Sequence, residues 1–347
     1  MRSHFYTGTL PQTYTGKLPQ SAKPAAFFVI VGVFFSSMLF AGGGMEEPGV
    51  HEPIGGPQAI TYPAVVMDDF GNSVSIEQKP QRIASLTLFT DELLFDLVAP
   101  DRLAAITYLA ADEVYSNVAD RAAEVENHLD LNVEAIIELD PDIVFVANWS
   151  DAGKVEQLRR AEIPVYLIDT PTTLEDIWEK ISYLGWLLDA SDSAQNIIAR
   201  MRNTLGPIRN AVADIPGNER LRAMDYSSWG NSSAAGTTWD TVLEAAGVIN
   251  AAGGLAGDGY GQAQMSRELI VALNPDVLFL PGWIWGDPEG AAKFEQNVRN
   301  DPSLAGINAV ENDRIYLVPE NLKSTYSQYI AEAVLEVARL VYPEYVK

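Results

Sequence analysis

Beyond Lys79-Pro80 the apolar positions fall into two alternating periods. Short continuous apolar runs at Arg82–Leu86, Leu103–Thr107, Ile143–Val146 and Val165–Ile168 predict buried strands. Between them a helical spacing predicts helices over DELLFDLVA with Thr90 as its cap, over Val133–Leu139 and over Gly153–Arg160. Alternation of this kind implies a parallel sheet covered on both faces. Ahead of it, Tyr62–Met67 and Ser73–Ile76 flank a Gly-Asn turn and predict a hairpin.

The pattern then changes. Thr172 and Glu175 form a capping box that opens a helix with Leu174, Trp178, Ile181 and Leu184 on one side. A second helix starts near Ser191-Asp192 and carries Ile197, Ile198, Met201 and Leu205. Running to Ala213 it would reach about 30 Å, enough to cross between two lobes. Gly206-Pro207 predicts a kink or break in it. From Arg220 the alternation resumes, with strands at Leu221–Met224, Val277–Leu280 and Ile315–Val318 and helices at Thr238–Ala246, Ser266–Leu273 and Ser327–Val341. The expected fold class is therefore α/β: two Rossmann-like lobes with parallel sheets, joined by a long bridging helix. The first lobe spans residues 60–171, the linking helices 172–218 and the second lobe 219–347.

A repeat relates the lobes. Residues 134–145 read EAIIELDPDIVF and residues 268–279 read ELIVALNPDVLF. An apolar-faced helix that stops at Asp-Pro or Asn-Pro before a buried strand accounts for most matches. It leaves unexplained the glutamate that opens each copy. In a parallel sheet the helix after a strand begins at the carboxyl edge, where open α/β sheets bind ligands. Glu134 and Glu268 should thus stand on the rim of one cleft, one per lobe. The helix dipole suits either carboxylate singly; as a pair they suit docking onto a cationic partner.

The N-terminus sets the compartment. Residues 1–44 hold Arg2, Lys17 and Lys23, then the apolar run AAFFVIVGVFFSSMLFA and a Gly-Gly-Gly exit, which reads as a signal peptide or membrane anchor. Residues 45–59 read as a flexible tether. The protein is expected to be exported, periplasmic or tethered to the outer face of the membrane. The sequence contains no cysteine, so neither a thioether lipid anchor nor a disulfide is expected. Its net charge of −24 argues against nucleic acid as a partner.

With these features the chain resembles the class III periplasmic binding proteins that serve iron-siderophore, cobalamin and haem ABC importers. The stretches that carry the resemblance are DDFGNSVSIEQKPQRIASLTLFTDELLFDL, NVEAIIELDPDIVFV, IPVYLID-TPTTLEDI, GTTWDTVLEAAGVINAAGG and MSRELIVALNPDVLFLPGW. The resemblance implies two rigid lobes with a ligand held between them. It also implies that Glu134 and Glu268 meet arginines on an ABC permease. The missing lipid-anchor cysteine and the Gly-Pro in the bridging helix depart from the pattern.

Strand ends and their following loops nominate the ligand-binding residues: Thr87, Phe89, Tyr108, Tyr115 and Trp149 in the first lobe, and Tyr226, Trp229, Tyr260, Trp283, Trp285, Asn321 and Tyr326 in the second. Indole and phenol rings suit a large, flat or greasy ligand; packing of each ring against its own lobe is the alternative. Of the three histidines only His128 lies beyond the tether, which excludes a histidine cage for a bare metal ion and leaves little for Ser-His chemistry. No catalytic residue, resident metal or cofactor is expected, and the ligand is expected to carry its own iron or cobalt. Few basic residues fall near the cleft, Lys323 and Arg121 being the nearest, which favours a hydroxamate siderophore or corrinoid over an anionic catecholate. Haem, with Tyr108 or Tyr115 on the iron, is a further reading. A monomeric, non-enzymatic importer component is the expectation. A hydrolase relying on Asp and Glu, and an anchored sensor or adhesion module, are its rivals.

Overall fold

The computed structural model describes residues 59–346. The expected signal segment and nearly all of the tether lie outside the described residues. Among the described residues no helix is long and apolar enough to cross a membrane.

Two parallel sheets organise the chain. In the first, five strands lie in the order His128–Leu129, Leu103–Thr107, Ile83–Leu86, Ile143–Ala147, Val165–Ile168. In the second, four lie in the order Ile249–Asn250, Arg222–Asp225, Val277–Pro281, Ile315–Val318. Each sheet reverses its winding at its first strand, so the switch points open at Thr87 in one lobe and Tyr226 in the other. Crevices form at such points, beyond the carboxyl ends of the strands. The predicted hairpin pairs Ala64–Met67 with Ser73–Ile76. A second antiparallel pair, Asn231–Ser233 with Gln262–Gln264, escapes the sequence pattern because its strands are three residues long and polar.

The bridging helix runs from Ser191 to Ala213, about 34 Å at the usual rise. The expected break at Gly206-Pro207 does not occur: Pro207 lies inside the helix. The lost hydrogen bond and ring clash cost about 3 kcal/mol in an isolated helix. Here Ile197 and Met201 before the proline, and Ile208 and Val212 after it, are all buried, and tertiary packing overrides the local preference. Those side chains lie in one core that takes in Leu93 and Ile177 of the first half and Val242 and Val334 of the second. Two glycines set the approach of this helix. A Cβ on Gly185 would lie 2.4 Å from Ala194 Cβ, and one on Gly247, whose φ is +75°, would lie 2.7 Å from Val212 Cβ.

Two helix starts differ from expectation by one turn or less. The capping box is formed by Thr173 and Asp176 rather than Thr172 and Glu175. The first helix spans Leu88–Leu97, and Thr90 lies within it, where its Oγ1 donates to Thr87 O and accepts from Ser85 Oγ at 2.6 Å.

The repeat proves to be a structural device. Asp140 and Asn274 occupy the left-handed region, at φ 45° and 42°, which short polar side chains tolerate better than most. Two residues on, Asp142 and Asp276 accept the backbone N–H groups of Arg82 and Arg222, at 2.8 and 2.9 Å. Those same arginines reach back to the last helical carbonyls, Leu139 O and Leu273 O. Each Asp and Arg pair therefore locks helix end, strand start and neighbouring strand together in both lobes.

Candidate functional site

The facing strand ends meet across the lobes through polar and aromatic contacts. Asn117 Nδ2 donates to Asn321 O at 2.9 Å, and Asn321 Nδ2 returns a bond to Asn117 Oδ1 at 3.1 Å. Beside them Tyr115 meets Trp283 edge to face at 5.7 Å between ring centroids, and Trp283 meets Trp285 in the same way at 5.7 Å. Deeper, Phe89 stacks on Tyr326 at 6.1 Å, and the Thr87 hydroxyl bonds the Tyr326 phenol. Seven of the nominated residues thus come together at the junction of the lobes: Thr87, Phe89, Tyr115, Trp283, Trp285, Asn321 and Tyr326.

The others divide in two. Tyr108, Trp149, Trp229 and Tyr260 stand exposed on strand-end loops, Trp229 and Tyr260 at 84% each. Exposed rings of this size are unusual on a polar loop and remain available to a large ligand. Tyr226 is different. It is 5% exposed, packs on Phe294 and accepts a hydrogen bond from Arg267, so it lines the second-lobe core rather than the opening. Its position right after a strand was the whole reason for nominating it, and a strand-end residue can turn inward as readily as outward.

Glu134 and Glu268 are exposed second residues of their helices, Val133–Glu138 and Arg267–Leu273. Asn132 caps the first by accepting from Ala135 N at 3.1 Å, and Ser266 caps the second by accepting from Leu269 N at 3.2 Å. Backbone N–H donation and the Ser266 hydroxyl hold the Glu268 carboxyl below the usual range.

Charge at the junction is closely matched. Lys323 lies 3.1 Å from Asp225 Oδ2 and 4.5 Å from the centre of the Trp239 ring. Asp225 also accepts from Ser232 Oγ, Ser233 N and Ser233 Oγ. Burial pushes that carboxyl up, but Lys323 and the serine donors outweigh it and leave its pKa lowered. Arg121 pairs with Asp96 at 3.0 Å. His128 places Nε2 3.0 Å from both Ala122 O and Val125 O, so this nitrogen carries the proton and its role is to hold a loop.

Two acids in the first helix were not foreseen. Asp91 and Glu92 follow one another in an apolar stretch, and acidic side chains are ordinarily left at the surface. Both are buried. Asp91 accepts from Thr107 N and Thr107 Oγ1, tying the switch-point helix to the neighbouring strand end; burial pushes its pKa up to about 7. Glu92 accepts from Asn117 N at 2.8 Å, from Asn117 Nδ2 at 2.9 Å and from Ser327 Oγ of the other lobe. Its pKa is raised, chiefly by burial. The nearest signal in the sequence was that Asp91-Glu92 would place one acid on the apolar stripe.

Two hollows elsewhere are lined by none of the nominated residues. One, of about 170 Å³, lies at the amino ends of the first-lobe strands between Arg82 and Asn127. The other, of about 430 Å³, lies between Arg102, Trp186 and Ser193. The interlobe junction is preferred to both because the aromatic rings converge there, at the edge where parallel sheets bind ligands.

Known proteins are similar to this chain in sequence and in fold. A model of the family described as Periplasmic binding protein matches residues 83–322. The ABC transporter substrate-binding lipoprotein YvrC of Bacillus subtilis is 26% identical over 287 residues, covering 82% of this chain and 87% of that protein. A cobalamin-binding protein of Halobacterium salinarum is 27% identical over 225 residues, covering 64% of this chain and 59% of that protein. Among solved structures, the molybdate-binding protein MolA of Haemophilus influenzae superposes with a TM-score of 0.66 at 20% identity, covering 81% of this chain and 92% of that one.

Proposed function

The chain belongs to the periplasmic binding protein family, and from that premise we propose that it carries a metal chelate, a hydroxamate siderophore or a corrinoid, to an ABC importer. The observation that carries the ligand class is the aromatic junction of Tyr115, Trp283 and Trp285, to which the loops add the exposed rings of Trp149, Trp229 and Tyr260 as further candidates. Rings of this number supply broad apolar contact with NH and OH groups to orient a ligand, which suits a large ligand. The cobalamin-binding relative supports the corrinoid.

Delivery follows from the rim. Glu134 and Glu268 would dock one lobe each on a basic permease surface, with the ligand held between them. Haem through Tyr115 is the weaker reading. Burial, then Glu320 and Asp112, push that phenol up, which opposes its use as a phenolate on iron. Catalysis has no support in a junction whose buried acids are all engaged by donors.

Titration of tryptophan fluorescence tests the proposal. Ferrichrome or cyanocobalamin should quench at micromolar concentration or below, because Trp283 and Trp285 stand at the contact. No quenching by either, and none by haem, would remove the metal-chelate reading.

A further inference from the structure

We infer that the interlobe opening selects uncharged or cationic chelates over anionic ones, and that Glu320 together with the Lys323–Asp225 pair sets this preference. The inference rests on the metal-chelate reading above and adds a charge rule to it.

The first observation is that the basic groups at the facing edges already have partners. Lys323 is held by Asp225 at 3.1 Å, Arg121 by Asp96 at 3.0 Å, Arg267 by Asp301 at 2.7 Å and Lys293 by Asp287 at 3.2 Å. Lys154, in the first turn of the Ala152–Arg160 helix, reaches a carbonyl instead, Leu131 O. Lys323 is the one best placed to meet a ligand, since it lies two residues from Asn321 in the short Glu320–Lys323 helix. Its charge is already matched by Asp225, which is 5% exposed, and its Nζ lies over the Trp239 ring, so an anion that approached it would meet a neutralised pair rather than a free cation.

The second observation is where Glu320 sits. It opens the same short helix, next to Asn321, whose bonds to Asn117 close the lobes two residues from Tyr115. It is partly buried; burial raises its carboxyl above the usual range and Lys323 opposes that rise, and the Glu320 charge is a secondary cause, after burial, of the raised Tyr115 phenol. An anionic ligand against the Tyr115 and Trp283 rings therefore meets a carboxylate in a medium that screens poorly. A cationic ligand gains from Glu320 and from the faces of the two indoles. The acidity of the whole chain, net −24, adds long-range repulsion of the same sign.

Matched chelates test this on the full chain. Fluorescence titrations would compare ferrioxamine B, which has a free ammonium, neutral ferrichrome and the anionic ferric tris-catecholate enterobactin. A second series would compare cyanocobalamin with its monocarboxylic acid. In whichever series binds, the anionic member should be at least tenfold weaker than the neutral one, and added salt should shrink the gap. Glu320→Gln should narrow the ratio several-fold. An anionic member that binds as tightly as its neutral partner, tight binding of haem with its propionates, or a ratio unmoved by both salt and E320Q would overturn the inference while leaving the importer reading intact. Failure of every chelate, whatever its charge, would instead remove the reading on which it rests.

Discussion

Asn117 and Asn321 exchange two hydrogen bonds across the lobes, and the same Asn117 amide also donates to the buried Glu92 carboxylate at 2.9 Å. Ser327 completes the arrangement from the second lobe by donating to the other Glu92 oxygen. One carboxylate therefore receives donors from both halves of the protein. Ser327→Ala would leave a buried acceptor short of a partner, which costs about 1–3 kcal/mol. Urea unfolding should show that loss. Because the lost bond joins the lobes, hydrogen exchange should also quicken in both the Leu88–Leu97 and Ile330–Val341 helices. An unchanged midpoint would mean that the bond contributes nothing.

Asp91 predicts a pH dependence. Its carboxyl titrates near 3.8 when exposed and is raised to about 7 in the fold, mainly by burial. Below the lower value both states hold the proton. Between the two values the folded state alone retains it, so stability falls as pH rises, by at most about 1.4 kcal/mol per pH unit, and levels off above 7. Glu92, raised for the same reason, adds in the same direction. Asp91→Asn keeps an oxygen for the Thr107 donors and should flatten this slope by up to one proton. Unfolding free energies measured from pH 4 to 8 would show whether it does.

Docking through Glu134 and Glu268 predicts a separation of functions. Glu134→Ala and Glu268→Ala touch no core and should leave ligand affinity within about twofold, since surface changes of this kind move stability by about 0.5 kcal/mol or less. Uptake by cells or proteoliposomes bearing the cognate permease should drop severely in each single variant. A fall in ligand affinity instead would place the glutamates inside the binding cleft.

Gly282 predicts a steric effect on the site. A Cβ there would lie 2.7 Å from Val318 O, the same carbonyl that accepts the Gly282 N–H at 2.8 Å. Gly282→Ala must push apart the ends of the inner strand Val277–Pro281 and its edge neighbour Ile315–Val318, the ones that lead to Trp283 and to Asn321. A loss of about 1–3 kcal/mol is expected, with weakened chelate binding beyond what stability alone explains. Thermal unfolding alongside fluorescence titration separates the two.

The two-lobed α/β plan was legible because strand and helix periods differ, and most predicted elements fall within a residue or two of their place. The repeat was legible too. Its physical cause was not, since Arg82 and Arg222, which close each copy, lie some fifty residues from the helix ends they bind. The candidate site was legible in outline. Strand ends nominated Tyr115, Trp283, Asn321 and Tyr326, which do converge, and also Tyr226, which turns into the core. Direction at a strand end depends on neighbours far along the chain, and no local pattern encodes it.

The sequence by itself determined the order of elements, the duplicated helix–strand units, and the aromatic, histidine-poor chemistry of the loops, because these follow from residue type and short-range periodicity. Tertiary structure decided the rest. It kept the helix unbroken through Pro207, buried the acidic side chains of Asp91 and Glu92 against their preference for water, and neutralised Lys323 with Asp225. In each case burial and long-range partners supply free energies larger than the local preference they override.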